Sequence, residues 1–552
     1  MDYELPSEFD LIVVGTGMIE SIVAAAASRV GKRVLHIDSN NYYGGLWASF
    51  NLDAINKLET KNELKNELDK KDLIKENETL YPVGNNFFNL RIQSQTWNVP
   101  EKSEEPKEVV PVEAGTDAES AETEVDTPET WTQEKLLKVS RKFNIDLTPK
   151  LHFARGEFVE LLISSNIARY SEFRSVSRVL TWLNGRLEVV PCSRSDVFSS
   201  NKVSVIEKRM LMKLLTSCVD GDEKEFTGYE NKTFQSYLKD RKLTENLIHY
   251  VLYAIAMSTD DTPCLEGVAN TKRFLGSLGR FGKTPFLYSM YGSGEITQAF
   301  CRLSAVFGGI YALNQPLNGL IFDNERKFGG VLCGQQRINA KHLVMSLEKV
   351  PKSVGDFAPK EYVSRATFIT DRSIMESDKE HLTLLLFPPT NGKNICTVLE
   401  LGSLTGTCPK DLHIVHMFTK QCSNPEEDLK HCVEKLFCKQ EAGDFGTTPP
   451  NVLWSFYYSV PDTLNATLTS DKLLNAYICP GPDMDLDYDP AIAQAKKIFT
   501  EMYADLEFLP RAPDPEEIII EGEDNNNIPN EDDNNEIEPT SDNQSEIQRE
   551  MN

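Results

Sequence analysis

Residues 9–50 read FDLIVVGTGMIESIVAAAASRVGKRVLHIDSNNYYGGLWASF, and this stretch decides the fold of the chain. It begins with a short apolar run at residues 9–14, which is typical of a buried parallel strand. A tight turn, Gly15-Thr16-Gly17, follows, and the apolar residues after it recur at helical spacing. A second strand is predicted at residues 34–37, ending at Asp38. The pattern predicts a βαβ unit with an acid about twenty positions after the glycines, where a dinucleotide-binding fold places its ribose ligand.

Position 20 departs from the dinucleotide fingerprint G-x-G-x-x-G, because this chain has Glu20 at the third glycine. That glycine allows close packing of helix and strand, and the pyrophosphate lies at the helix N-terminus. A glutamate is bulky, and its charge would repel a pyrophosphate. The sequence therefore predicts a scaffold with a degenerate motif (Gly15, Gly17, Glu20, Asp38) and without FAD. A degenerate but working flavin site is the alternative, since fingerprints tolerate variation.

The loop Asn40-Asn41-Tyr42-Tyr43-Gly44-Gly45 follows the second predicted strand directly. Open α/β sheets bind their partners at the carboxyl ends of the strands. The two tyrosines are therefore candidates for a binding surface.

The sequences GTGMIES and DSNNYYGG closely resemble the Rab escort protein and Rab GDP-dissociation inhibitor family. The resemblance covers about residues 1–90 and 131–510. It implies the fold of a flavoprotein that has lost its flavin and binds small GTPases. The expected fold class is therefore α/β, of the FAD/NAD-type dinucleotide-binding kind without the cofactor, with a small all-α domain inserted.

The net charge of −26 is concentrated in two segments. Residues 101–130 contain 11 acidic and 2 basic residues, and residues 512–552 contain 14 and 1. The rest of the chain is therefore nearly neutral. Such compositions cannot bury enough apolar surface to fold alone, so we expect both segments to be disordered. Nucleic acid is not expected as a partner, since the sequence shows no basic patch to neutralise phosphates.

The 11 cysteines are scattered and contain no C-x-x-C pair. The N-terminal sequence MDYELPSEFD lacks a signal-peptide core, and the sequence contains no apolar run of the roughly 18 residues that span a membrane. The C-terminal QREMN carries no lipidation motif. We therefore expect a cytosolic protein with reduced thiols, whose membrane contact is transient and depends on a lipidated partner.

Four segments are predicted along the chain. Residues 1–195 are the first part of the α/β domain, residues 196–284 the helical domain, residues 285–510 the second part of the α/β domain, and residues 511–552 the acidic tail. A β-hairpin is predicted at residues 179–190.

The helical domain carries methionine and leucine faces at helical spacing. Their simplest interpretation is a packed core. The family resemblance supports a second one, a cavity between the helices that receives the geranylgeranyl lipid. Phe274 and Arg280 are proposed to dock the transferase, although a plain core role for Phe274 is an equal alternative.

A second block begins at Ser293-Gly294, which precedes a predicted helix. Its apolar residues form one stripe, and Glu295, Gln298 and Arg302 line another face. From spacing alone, a solvated polar face explains these three side chains equally well. The family resemblance implies a Rab-binding platform, which we define as Tyr42, Tyr43, Glu295, Gln298, Arg302 and Tyr311. Ala312 departs from the inhibitors of the family, which carry Met there, and this puts one contact in doubt.

No catalytic constellation is found: the sequence contains no nucleophile elbow, no H-E-x-x-H and no P-loop. His413 and His416 lie in a strand-like run with no further ligands at metal spacing, so no metal site is expected. The remaining sequence from residue 317 to 510 alternates predicted strands with two predicted helices, which fits the rest of a sheet-based domain.

The family resemblance implies binding without catalysis, and it leaves two branches. The inhibitor branch extracts prenylated, GDP-bound Rab from membranes. The escort branch presents Rab to the α/β heterodimer of Rab geranylgeranyl transferase, as a non-catalytic component, and then keeps the lipidated product soluble. The acidic insertion, the tail and the sequences VPCSRSDVF and LGRFGKTPFLY favour the escort branch. A flavin-dependent oxidoreductase and a scaffold acting through the acidic tail are the alternatives from other classes.

Overall fold

The computed structural model describes residues 5–58, 73–83, 90–102, 131–192, 196, 204–221, 223–315, 317–351, 353–354, 359–390, 392–438, 448–463 and 473–511. The chain divides into two units, Met1–Arg511 and Ala512–Asn552. Most of the acidic insertion, the whole acidic tail and most of the amphipathic sequence before residue 76 lie outside the described residues.

The described strands follow one another along nearly the whole first unit. In chain order they are Glu8–Val14 (β1), Val34–Asp38 (β2), Ser49–Phe50 (β3), Glu78–Pro82 (β4), Arg91–Trp97 (β5), Ile145–Asp146 (β6), His152–Phe153 (β7), Phe173–Ser175 (β8), Arg178–Leu183 (β9), Arg186–Val189 (β10), Phe286–Ser289 (β11), Ile310–Leu313 (β12), Leu317–Asp323 (β13), Phe328–Cys333 (β14), Gln336–Ser346 (β15), Glu361–Thr370 (β16), Thr383–Phe387 (β17), Cys396–Leu401 (β18), His413–Lys420 (β19), Val452–Asp462 (β20) and Ala476–Cys479 (β21).

The described α-helices are Met18–Arg29 (α1), Leu52–Asn56 (α2), Gln133–Lys138 (α3), Glu157–Ser164 (α4), Val205–Asp220 (α5), Phe234–Asp240 (α6), Glu245–His249 (α7), Cys264–Ser277 (α8), Gly294–Val306 (α9), Pro425–Phe437 (α10) and Asp489–Met502 (α11). A π-helical turn, Tyr250–Ile255, continues α7, and a 3-10 helix covers Ile167–Tyr170.

The first large sheet confirms the predicted βαβ unit. Its strand order is β12-β2-β1-β15-β14-β13-β4, with β21 beside β15. Strand β1 pairs in parallel with both β2 and β15. Because it is central and covered on both faces, its sequence is continuously apolar rather than alternating.

The second large sheet has the order β10-β9-β17-β18-β19-β16-β20-β5 and is mostly antiparallel. The predicted hairpin is present at β9 and β10. Its turn residues, Asn184 and Gly185, have φ values of 52° and 79°. Two successive positive φ values match the twist of a two-residue hairpin, which is why Asn-Gly suits this turn.

Helices α1 and α9 cross closely on the first sheet. The middle of α1 is the run Ala24 to Ala27, which is fully buried and packs in one core with the apolar stripe of α9. Such small side chains let two helix backbones approach. Ser28 Oγ and Ser304 Oγ share a hydrogen bond of 2.8 Å across the crossing, so the position of α9 is fixed by α1 and by the sheet below it.

The helices α5 to α8 lie between β10 and β11 in the sequence, as the predicted inserted domain requires. Their buried side chains form one core with side chains of the second sheet. Gly267 of α8 allows contact with the Phe234 ring, because a Cβ at position 267 would lie 2.3 Å from that ring. The exact domain boundaries stay a prediction.

Candidate functional site

Asp38, the acid of the degenerate dinucleotide motif, holds the loop Asn40–Gly45, which we call the tyrosine loop. Asp38 Oδ2 accepts hydrogen bonds from the Thr16 amide at 3.0 Å and from the Thr16 hydroxyl at 2.7 Å. Its Oδ1 accepts one from the Asn40 amide at 2.9 Å. The Gly44 amide in turn donates to Thr16 Oγ1 at 2.9 Å. Asp38 therefore fixes both ends of the loop, instead of presenting a carboxylate to a ribose.

Glu20 fills the place where the fingerprint needs a glycine. Its side chain is only 2 % exposed and accepts a hydrogen bond from Ser346 Oγ. Its Oε2 lies 2.5 Å from the point where a Cβ on Gly17 would stand. Burial raises the pKa of Glu20 to about 8. The expected repulsion by charge is therefore weak at neutral pH, since the carboxyl is mostly protonated, and the bulk of the side chain is the stronger obstacle.

The remaining space beside Glu20 does not fit a dinucleotide. The cleft has a cavity volume of about 30 Å³, which is room for a few waters. Its lining includes Gly17, Glu20, Trp47, Ser346 and Glu348. Burial also raises the pKa of Glu348. A cleft with two carboxyl groups and so little volume is unsuited to a pyrophosphate.

The helix α9 of the predicted platform is anchored at its N-terminus by Asp146. The Asp146 carboxyl is buried and accepts hydrogen bonds from Ser49 Oγ at 2.5 Å, Tyr288 OH at 2.7 Å and the Ser293 amide at 2.9 Å. The Gly294 amide donates to Ser49 Oγ at 2.9 Å. Sequence analysis missed Asp146, because it lies 147 positions from Ser293 and in no recognisable motif.

The outer face of α9 carries the predicted polar side chains. Gln298 and Arg302 are exposed, and Glu295 is half-buried. Gln298 Nε2 donates to Glu295 Oε1 at 3.4 Å, so the spacing correctly placed these two on one face. The Arg302 guanidinium lies 5.0 Å from the centre of the Tyr170 ring. Burial, with the nearby Asp146 charge, raises the pKa of Glu295.

The surface of α9 continues in apolar side chains that sequence analysis did not single out. Val306 is 60 % exposed and Tyr170 37 % exposed. Arg302 lies one helical turn before Val306 on α9, and its guanidinium stacks on Tyr170. An exposed surface of mixed apolar and charged character suits a protein partner.

The rings of Tyr43, Tyr311 and His36 form a row that begins in the tyrosine loop. The ring centres of Tyr43 and Tyr311 are 6.1 Å apart, and those of Tyr311 and His36 are 4.8 Å apart. Burial lowers the pKa of His36 to about 4, so this ring is neutral at physiological pH. The structure therefore brings Tyr43 and Tyr311 together, with Tyr311 mostly covered.

Tyr42 points away from this row. Its ring contacts Phe50, with centres 5.0 Å apart, and it packs against the large core shared with the second sheet. Ala312 is buried at 7 % exposure. Tyr42 is thus the platform residue whose ring packs into the core, and a role of Tyr42 or Ala312 in binding Rab stays a prediction.

The two proposed docking residues differ in accessibility. Phe274 is 1 % exposed and packs on Phe286, so it is a core residue with no surface to offer a partner. Arg280 donates to the Ala154 carbonyl at 2.8 Å and pairs with Glu160. Phe281 is 51 % exposed and lies 5.1 Å below the Arg280 guanidinium. The exposed aromatic side chain here is thus Phe281.

No group of metal-ligating side chains is found among the described residues. His413 and His416 lie three positions apart in β19, and side chains three apart in a strand point to opposite faces. Burial lowers the pKa of His416 to about 3, and its Nδ1 lies 3.1 Å from Thr367 Oγ1. Across the part of the chain that the structure describes, every helix is too short or too polar to cross a bilayer.

Residues 4–74 and 126–442 match the family described as GDP dissociation inhibitor. The chain is 38 % identical to "Rab proteins geranylgeranyltransferase component A" of Drosophila melanogaster, covering 94 % of this chain and 93 % of that protein.

Two solved structures are similar in fold. The Rab GDI of Plasmodium falciparum has a TM-score of 0.65 at 18 % identity, and it covers 91 % of this chain and 99 % of its own. An oxidoreductase from Methanosarcina mazei has a TM-score of 0.51 at 12 % identity, over 89 % and 99 %. The predicted relation to flavoprotein-like folds is thereby confirmed for the fold.

Proposed function

This chain belongs to the GDP dissociation inhibitor family, and on that basis we propose that it acts as a Rab escort protein. In this role it binds newly made, GDP-bound Rab and presents it to Rab geranylgeranyl transferase. It then keeps the geranylgeranylated Rab in solution and delivers it to membranes.

The observation that carries this proposal is the outer face of α9. This helix is held by Asp146 at its N-terminus and by α1 along its length, so its exposed side chains have a fixed direction. The side chains of Gln298, Arg302 and Val306 are exposed on this face. A rigid, exposed, mixed surface is what a specific complex with a folded GTPase requires, because little ordering entropy is lost on binding.

The escort role is favoured over the inhibitor role by sequence. The relative from Drosophila melanogaster is named as a transferase component and aligns over nearly its whole length. The inhibitor remains the second candidate, because the Rab GDI of Plasmodium falciparum has a similar fold.

The helical segment is proposed to serve the transferase and the lipid. We assign the docking contact to Phe281 and Arg280, since Phe274 is buried and Phe281 is half exposed. An aromatic ring beside an arginine is a frequent centre of protein interfaces. Each CH₂ of a geranylgeranyl chain contributes about 0.8 kcal/mol when buried, so a cavity between these helices could retain the lipid.

The proposed activity is binding and not bond formation. Glu20 and the small cleft argue against a flavin, as does the engagement of Asp38 by its own loop. We place the protein in the cytosol, with membrane contact only through its Rab cargo.

In vitro prenylation tests the proposal. Purified GDP-bound Rab, transferase and geranylgeranyl diphosphate are mixed with and without this protein, and lipid transfer to Rab is measured. Dependence of transfer on this protein supports the escort role. If transfer does not depend on it but prenylated Rab is still extracted from membranes, the inhibitor role replaces it. If neither occurs, the proposal fails, and the visible absorbance of a bound flavin is measured next.

A further inference from the structure

The cleft beside Glu20 contains none of the Rab platform residues and is too small for a flavin. It lies where the end of β15 meets the start of α1, and it is closed on another side by the loop after β21. Its walls combine the apolar side chains of Trp47, Leu347 and Pro480 with the carboxyl groups of Glu20 and Glu348.

Glu20 has free acceptor capacity, and Glu348 lines the same cleft. Glu20 is 2 % exposed, and among the described residues its Oε2 accepts no hydrogen bond. Glu348 is half-buried, and the charge of the neighbouring Lys349 stabilises its ionised form. Buried acceptors in folded proteins are normally satisfied, so the unpartnered Oε2 of Glu20, in a cleft that Glu348 also lines, requires a donor.

Neither lysine near the cleft donates a hydrogen bond to Glu20 Oε2. Lys349 is directed to Ser39 Oγ at 2.8 Å and to Asp38 Oδ1 at 3.9 Å. Lys150 pairs with Asp483 at 2.5 Å. Cys479 lies beside Glu20 from β21, and burial keeps its thiol protonated by raising its pKa.

We propose that this cleft binds an alkylguanidinium or alkylammonium group, with Glu20 and Glu348 accepting its N–H donors and Trp47, Leu347 and Pro480 contacting its apolar stem. A guanidinium carries five donors and an ammonium three, and neither accepts, so either would satisfy both carboxyl groups. The cavity volume of about 30 Å³ limits the occupant to a small head group and excludes a nucleotide. The group could belong to a free small molecule or to a side chain of the bound Rab.

The proposed site has a defined pH dependence. Glu20 must lose its proton to bind a cation fully, and the pKa of the free site is about 8 because of burial. Ser346 stabilises the ionised form through its hydrogen bond, whereas the charges of Glu348 and Asp38 oppose it. Binding is therefore expected to strengthen as the pH rises from 6.5 to 8.5.

Isothermal titration calorimetry of the full chain with methylguanidinium tests the site at constant ionic strength. We expect saturable binding to the unmodified protein, weakened about tenfold or more in Glu20→Gln and in Glu348→Gln. Both substitutions keep the side-chain volume. Glu245→Gln, on the exposed surface of α7, is the matched control and should leave binding unchanged. Tetramethylammonium has no N–H donor and should not bind.

The outcomes separate the two sources of the group and can also overturn the site. If saturating GDP-bound Rab abolishes methylguanidinium binding, a Rab side chain is the natural occupant. If methylguanidinium still binds in the presence of saturating Rab, a free small molecule is the natural occupant. The proposal is overturned if methylguanidinium does not bind, if it binds Glu20→Gln and Glu348→Gln as it binds the unmodified protein, or if tetramethylammonium binds equally. The calorimetry does not depend on Rab binding, so failure of the site and failure of the escort role are distinguishable.

Discussion

Replacing Asp146 by Ala is expected to loosen the N-terminus of α9 and thereby weaken Rab binding. The substitution removes the acceptor of three buried donors: Ser49 Oγ, Tyr288 OH and the Ser293 amide. A hydrogen bond to a charged group contributes about 1.5–3 kcal/mol, and an unpaired buried donor costs about 1–3 kcal/mol. Since such effects are not additive within a network, we expect a total loss of about 3–5 kcal/mol.

Hydrogen exchange followed by mass spectrometry measures this loss locally. A loss of that size corresponds to about 150- to 5,000-fold faster exchange in peptides that span residues 290–306. Rab affinity, measured by titration with GDP-bound Rab, should fall in the same variant, because Gln298 and Arg302 lose their fixed direction.

The matched control is Asp428→Ala, at the N-terminus of α10. Asp428 is also a buried carboxyl, and it accepts hydrogen bonds from Ser364 Oγ at 2.8 Å, the Cys422 amide at 3.0 Å and the Ser423 amide at 3.1 Å. This variant should accelerate exchange in residues 425–437 and leave Rab affinity unchanged. Unaltered Rab affinity in Asp146→Ala, or an equal loss in Asp428→Ala, would refute the role assigned to Asp146.

Three further predictions follow from burial and charge. Glu20→Gln should stabilise the protein by about 3 kcal/mol at pH 7 relative to its effect below pH 4.5. The reason is that Glu20 keeps its proton up to a pKa of about 8 in the folded state but loses it near 4.5 in the unfolded state. Urea unfolding from pH 4 to 9 measures the difference in unfolding free energy between variant and unmodified protein, and a difference that does not change with pH contradicts the prediction. Arg302→Glu should weaken Rab binding by about 2 kcal/mol or more if Arg302 faces an acid of Rab; Arg209→Glu, on the exposed surface of α5, is the control in the same titration, and equal affinities would remove Arg302 from the platform. Phe281→Ala should lower transferase affinity in a pull-down of the Rab complex without loss of stability, whereas Phe274→Ala should destabilise the fold by about 3–5 kcal/mol in thermal unfolding; unchanged transferase affinity in Phe281→Ala would exclude that contact.

Local patterns in the sequence were sufficient for several elements. The βαβ unit, the Asn184-Gly185 hairpin and the two faces of α9 each follow from a period of two or 3.6 residues and from turn chemistry. The sequence also shows directly that Glu20 replaces the third glycine, because the dinucleotide fingerprint specifies the residue type at that position.

The tertiary structure decided how these residues are used. Glu20 is protonated because burial penalises its charge, although Ser346, 326 positions away, hydrogen-bonds to it. Asp146 anchors α9 although it lies in a short strand with no motif. The periodicity of the sequence does not reveal that Phe274 is buried whereas Phe281 is exposed. Nor does it reveal that the Tyr42 ring packs on Phe50 while the Tyr43 ring packs on Tyr311. Periodicity reports which face of an element is apolar, whereas burial, hydrogen-bond partners and pKa depend on segments that meet only in the folded chain.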